Sequence, residues 1–300
     1  MRIAFKILGY LLLVLLIVVI GGGAWVMMRS SAALKQKYTV KVRPITIPKD
    51  AAAIEHGAHI ARTRGCIDCH GADFGGKMVI EDFPMGQVYA PNLTRGHGGS
   101  VTAFQDEDWI RAVRHGIGFD GHGLFIMPAK EYSHFSDEDL GALVAFLKQL
   151  PPVNREPLRI RPGPVSRVLL TVSPAKMIGA AAIDHASLAP VAVAKAATKE
   201  YGRYLAEGCI GCHGPNFSGG KIEVGPPDWP KAANLTPHPE GHLSKWSEAD
   251  FIATIRTAKR PDGTALDPVM PRGFAGMDDV ELKALWAFFQ SLPPVAQGVR

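Results

Sequence analysis

No cysteine in this 300-residue chain stands outside two short pairs. The four are Cys66, Cys69, Cys209 and Cys212, and each pair is spaced C-x-x-C. Nothing is left over for a long-range disulfide or a lone nucleophile. The first 49 residues contain no acid against eight Lys and Arg. After residue 28 no uncharged apolar run is long enough to cross a bilayer. A concentrated basic surface is also missing. Residues 50–150 hold 14 acids against 8 bases, and residues 195–300 hold 12 of each. That pattern excludes a nucleic-acid partner.

One long apolar run is present. Ile7 to Met28 carries no charge over 22 residues. As a helix it spans about 33 Å, enough for a bilayer core of about 30 Å. A cleaved leader has a shorter apolar core, of about 7–15 residues, followed by small residues at the cut. Ser31-Ala32-Ala33 would serve as such a site, but bulky Trp25, Met27 and Met28 and charged Arg29 precede it. We therefore expect an uncleaved single-pass anchor over residues 1–30. A basic stalk follows over 31–49, either a solvated tether or a contact for anionic head groups.

The rest of the chain is written twice. Cys66-Ile67-Asp68-Cys69-His70-Gly71 returns as Cys209-Ile210-Gly211-Cys212-His213-Gly214. Asn92-Leu93-Thr94 returns as Asn234-Leu235-Thr236, Met127-Pro128 as Met270-Pro271, and Leu150-Pro151-Pro152-Val153 as Leu292-Pro293-Pro294-Val295. The offset stays near 143, which is a duplicated domain and not a short solenoid repeat. The expected units are residues 50–153 and 196–300, joined by a stiff, extended, proline-rich linker over 154–195. Within that linker the apolar patch Val168–Val172 should pack on a domain.

Each unit reads as helical. A helix leads into C-x-x-C-H, over Ala51–Arg64 and Ala196–Glu207. A long Gly/Pro/Asn-rich stretch follows, which argues against regular structure. Acid-rich starts mark helices near Asp106–Gly116 and Ser247–Thr257. The last helix of each unit, near Asp137–Gln149 and Asp278–Gln290, carries an apolar stripe. Its members are Leu140, Leu143, Val144 and Leu147 in one, and Leu282, Leu285, Trp286 and Phe289 in the other.

C-x-x-C-H has a chemical reason for its spacing. Two thiols at that distance take up the two vinyl groups of a haem, and the next residue sets an imidazole beneath the iron. Cys66, Cys69, Cys209 and Cys212 are thus candidate attachment points, and His70 and His213 candidate iron ligands. A structural zinc site would need the two pairs to converge on one ion. A thioredoxin-like redox pair would need a βαβ context, which the sequence lacks. For the sixth iron ligand the repeat selects Met127 and Met270. Each lies 57 residues after its histidine and directly before proline. Met85 competes in the first unit, but the matching region near Gly225-Pro226 has no methionine. The matched Arg114 and Arg256 suit either haem carboxylates or surface charge. Trp109 and Phe251 suit either the haem or the core.

These motifs resemble the proteobacterial mono- and dihaem cytochrome c family, including cytochrome subunits of membrane-bound quinoprotein dehydrogenases. The resemblance implies an all-α fold of two tandem class I cytochrome c domains behind the N-terminal transmembrane helix. It implies two covalently bound haem c groups with His/Met ligation. It places the chain in the inner membrane with its haem domains in the periplasm. There it would move electrons between a redox protein donor and an acceptor, without catalytic residues of its own. The alternative is a dihaem enzyme such as a peroxidase or a sulfur-compound oxidoreductase. A peroxidase needs an open iron position, and each unit here has a matched methionine. The family's dehydrogenase subunits usually carry three haem motifs and a C-terminal anchor, and this chain departs from that on both counts.

Overall fold

Two helix crossings built on glycine organise the molecule. The computed structural model describes residues 2–187, 189–222 and 228–299. In the first domain α2 (Ala51–Thr63) crosses α6 (Asp137–Leu147), and in the second α8 (Lys199–Ala206) crosses α11 (Asp279–Gln290). At each crossing a glycine lies against a backbone carbonyl. A Cβ on Gly57 would sit 2.0 Å from the Ala142 oxygen, and one on Gly202 would sit 1.9 Å from the Ala284 oxygen. Only a residue without a side chain permits that approach. The expected apolar stripe fills the crossing in the first domain. Leu140, Leu143, Val144 and Leu147 are all at most 4% exposed and pack around Ile60, Trp109 and Phe135. In the second domain Leu282, Leu285 and Phe289 do the same around Tyr201, Leu205 and Phe251, with Trp286 at the edge.

Capping residues set the helix starts. Asp50 accepts from the Ala53 amide to start α2. Thr198 does so from Tyr201 to start α8, which places residues 196–198 outside the helix expected there. α4 (Asp106–His115) and α10 (Glu248–Thr257) begin with capping boxes closed by Asp108 and Asp250.

The repeated Asn-Leu-Thr and Leu-Pro-Pro-Val motifs bind each other. Asn92 Oδ1 accepts from the Thr94 amide at 2.8 Å, and its Nδ2 donates to the Val153 carbonyl at 2.7 Å. Asn234 repeats this with Thr236 at 2.9 Å and Val295 at 2.7 Å. Both asparagines are buried. The motif thus clamps the end of each domain to its middle, with its polar groups satisfied.

Two expectations are corrected. Helices dominate the regular structure, but strands are present and the fold is not all-α. β1 (Lys77–Asp82) and β2 (Gly86–Ala90) form an antiparallel hairpin, and the short β3 (Arg161–Pro162) pairs with β2. Gly86, at φ +92°, sits where the tight turn requires it. The linker is not simply extended either. It holds α7 (Pro164–Val172) and two 3₁₀ turns, and its Leu170, Met177, Ile178 and Ala180 form an apolar cluster with Ile117 of the first domain. α1 runs over Arg2–Leu34, four residues beyond the span expected for the anchor. Nor does the stalk hang free. Arg43 bonds Asp137 at 2.6 Å and the Ala189 carbonyl at 2.8 Å.

Candidate haem sites

The first C-x-x-C-H segment is one short helical turn, α3 (Cys66–His70); the second runs from a 3₁₀ turn ending at Cys209 into α9 (Ile210–His213). Glycine ends both. Gly71 and Gly214 have φ of +83° and +79°, and their amides close onto Ile67 and Ile210. The histidine rings are held from one side. His70 Nδ1 donates to the Pro91 carbonyl at 2.9 Å, and His213 Nδ1 donates to the Ala233 carbonyl at 2.7 Å. A carbonyl only accepts, so the proton is on Nδ1 and the Nε2 lone pair is free to bind a metal. Burial lowers both histidine pKa values, which favours the neutral, ligating form.

In the second domain the candidate ligands meet. Cys209, Cys212, His213 and Met270 all line one cleft of about 1180 Å³, open to solvent. Its walls are largely apolar, with Trp246, Phe251 and Leu285 prominent. The Thr254 hydroxyl on its wall is buried without a hydrogen-bond partner. This combination suits a large, flat, mostly apolar group carrying a metal at its centre. In the first domain Cys66, Ile67 and Met127 pack against one core, beside Trp109. Met85 is elsewhere, in the linker cluster, 3.8 Å from the Ser166 hydroxyl. Gly225-Pro226, the region matched to Met85, lies outside the described residues.

The thiols do not suit a redox pair. Burial pushes Cys66 and Cys209 up to about 12 and also raises Cys69, whereas reactive C-x-x-C thiols have lowered values. Among the described residues the one group of three metal donors is His59, Asp278 and Glu281, which contains no cysteine. Its acids already face Arg64 and Lys195.

The matched arginines have structural roles. Arg114 bonds Asp137 at 2.9 Å and the Phe135 carbonyl at 2.7 Å. Arg256 bonds Asp279 at 2.6 Å. Each ties the middle helix of its domain to the first turn of the last.

Between the domains lies a second cleft, of about 930 Å³. Cys69 of the first domain and Gly208 and Pro271 of the second line it together. The attachment turn of one domain therefore shares a wall with the Met-Pro loop of the other. Sequence reading missed both this cleft and the paired glycines Gly57 and Gly202. The glycines lie 145 residues apart, two off the register of the haem motifs, so the repeat did not pair them.

Such a site, built twice around C-x-x-C-H, is that of a c-type cytochrome. Comparison with known proteins agrees. Residues 52–147 match the family "Cytochrome C oxidase, cbb3-type, subunit III", and residues 200–293 match the family "Cytochrome c". The chain thus carries a cbb3-type cytochrome domain followed by a cytochrome c domain, with two covalently bound haem c groups. It is 30% identical over 291 residues to the cytochrome c subunit of alcohol dehydrogenase (quinone) from Komagataeibacter europaeus, covering 82% of this chain and 57% of that protein. It is 25% identical over 288 residues to the fructose dehydrogenase cytochrome subunit of Gluconobacter japonicus, covering 86% and 57%. A dihaem c-type cytochrome of Cereibacter sphaeroides is 26% identical over 296 residues, covering 90% of this chain and 96% of its own length. The chain spans little more than half the length of the dehydrogenase subunits.

Proposed function

We propose that this chain is a membrane-tethered electron carrier of the periplasm, acting between a redox protein donor and an acceptor. The observation that carries the reading is the convergence of Cys209, Cys212, His213 and Met270 on one apolar cleft. In this reading Cys66, Cys69, Cys209 and Cys212 hold the two haems covalently. His70 and His213 bind the irons from one side, and Met127 and Met270 from the other. A bound haem supplies a one-electron iron couple, and a thioether ligand raises its potential.

The residues of this chain do the rest. The carbonyls of Pro91 and Ala233 fix the histidine tautomer and ring orientation. Trp246, Phe251 and Phe289 give the second site apolar walls. The shared interdomain wall from Cys69 to Pro271 brings the two sites to one boundary, which suits exchange between them. A methionine and a histidine on each iron leave no position for a substrate, so the carrier reading stands ahead of the enzymatic one.

The anchor reading rests on α1, whose best window has a mean hydropathy of 2.9 and is wholly exposed. It is supported by contacts from α1 to α7, which make the helix part of the fold. Haem staining after denaturing electrophoresis tests the assignment. Wild type should carry two haems, and Cys66→Ala with Cys69→Ala should carry one. Two haems in that double variant would sink it.

A further inference from the structure

α7 has a face that the cytochrome sites leave unused. Ser166 and Leu170 are buried on one side, while Val165, Val168 and Val172 are exposed on the other at three- and four-residue spacing. Val172 is 66% exposed. α7 runs antiparallel to α1. Arg167 Nη1 donates to Ser30 Oγ at 3.0 Å, and Thr171 Oγ1 contacts the Val26 carbonyl at 3.3 Å. Four residues forward on one helix are four residues back on the other. Ser30, fully buried under α7, is small enough to allow the close approach.

This register sets a depth. Val26 lies inside the uncharged run that ends at Met28. At ~1.5 Å per residue Thr171 stands about 3 Å within that run. The last turn of α7 therefore reaches the level of the apolar part of α1, and Val168 and Val172 face the surroundings of that helix. Along the chain the charge flanking α7 has one sign, although its first turn packs on the β1–β2 turn beside the acids Glu81 and Asp82. Arg159, Arg161, Arg167 and Lys176 fall between Glu156 and Asp184, with no acid among them. Exposed Lys35 and Lys37 follow α1 nearby.

We propose that α7 dips its C-terminal end into an anionic lipid surface beside α1, with Val168 and Val172 at the head-group and acyl boundary. Because α7 runs along α1, it meets the surface end-on: the valines of its last turns reach the apolar boundary, and the flanking bases meet anionic head groups. It would fix the first cytochrome domain against the membrane, where a flexible tether would leave it free to swing. The proposal rests on α1 being transmembrane.

The test uses the full-length, haem-loaded protein in nanodiscs of phosphatidylcholine and phosphatidylglycerol. Spin labels are placed at Val168→Cys and Val172→Cys, with Leu15→Cys as a mid-span reference and Lys283→Cys as an aqueous one. Accessibility to oxygen is compared with accessibility to a water-soluble nickel chelate. The oxygen-to-nickel ratio at 168 and 172 should be several-fold above that at 283 and below that at 15. Ratios at 168 and 172 equal to that at 283, with 15 in lipid, would overturn the proposal alone. Labels shielded from both reagents would mean protein cover and would overturn it too. If 15 also reports water, the anchor reading falls and takes this proposal with it.

Discussion

Met127 and Met270 carry the sharpest residue-level prediction. Each was selected by position in the repeat, and they sit in different domains, Met127 against the first core and Met270 on the wall of the second-domain cleft, so each should govern one haem. Met127→His should lower the potential of one haem only, because imidazole stabilises ferric iron more than a thioether does. Met270→His should lower the other. Each shift should be a fraction of the roughly 0.8 V that axial ligands span. Redox titration followed by visible absorbance resolves the two couples. Both couples moving together would mean that the ligands are not assigned one per domain. Met85→Ala should move neither, since Met85 packs beneath α7, where Ser166 bonds its carbonyl at 2.7 Å. The C-x-x-C-H segments proposed to hold the haems were conspicuous in sequence because covalent haem chemistry fixes such a spacing. The roles of Arg114 and Arg256 were not. A charge-assisted bond to a haem carboxylate and one to a helix-start aspartate ask for the same residue, and only the fold brings Asp137 and Asp279 within reach.

At the scale of elements, the helix crossings should be intolerant of a single methyl group. In an open helix Gly→Ala gains up to about 1 kcal/mol. At Gly57 or Gly202 the added Cβ meets a carbonyl oxygen at 2.0 or 1.9 Å. The crossing must open, at a cost of about 1–3 kcal/mol or more. Thermal unfolding of Gly202→Ala should therefore show a lower midpoint, and a raised one would refute the crossing. The Asn clamp gives a parallel test. Asn234→Ala removes the acceptor of the buried Thr236 amide, a loss costing about 1–3 kcal/mol, and one of the two donors to the Val295 carbonyl, which keeps the Thr236 hydroxyl at 3.2 Å. Chemical denaturation should register it as a lower midpoint, and an unchanged midpoint would mean that water replaces the clamp. The helices were readable because their 3.6-residue stripes and acidic starts are local signals. The hairpin β1–β2 was not, although Met78, Val79 and Ile80 favour strand. It lies in a stretch rich in glycine and proline, and part of its support is β3, which arrives from the linker about 70 residues later. Likewise α7 is stabilised by α1 and the first domain. Pairings at such sequence separation leave little trace in local pattern.

For the whole molecule, the joint between the domains decides whether the two haem sites act together. It is ionic at its centre. Glu281 of the second domain is 2% exposed and bonds His59 of the first at 2.7 Å, with Arg64 at 3.5 Å. Beside it Asp139 of the first domain accepts from the Tyr204 hydroxyl of the second and pairs with His56 at 2.6 Å. Burial works to raise both carboxyl pKa values, but the bonds from His59 and Arg64, and from His56 and Tyr204, hold both below the ordinary range. The sign follows from that direction. A carboxyl with a lower pKa in the folded state adds stability above its unfolded value, and that contribution fades as pH falls through its folded one. The joint should thus hold from neutral pH down to the ordinary carboxylate range near pH 4 and loosen below it. Glu281→Gln should loosen it at neutral pH. It leaves Arg64 and His59 without their buried partner, and breaking such a pair costs about 3–5 kcal/mol. Calorimetry should show one cooperative transition for wild type at pH 7, and two separated transitions for the variant at pH 7 or for wild type in acid. Hydrogen exchange in α2 near His59 and in the 3₁₀ turn Arg272–Gly276, where Gly273 abuts the Arg62 carbonyl, should rise in step. A variant that unfolds in a single transition with unchanged exchange at both segments would show that apolar contact alone holds the domains together.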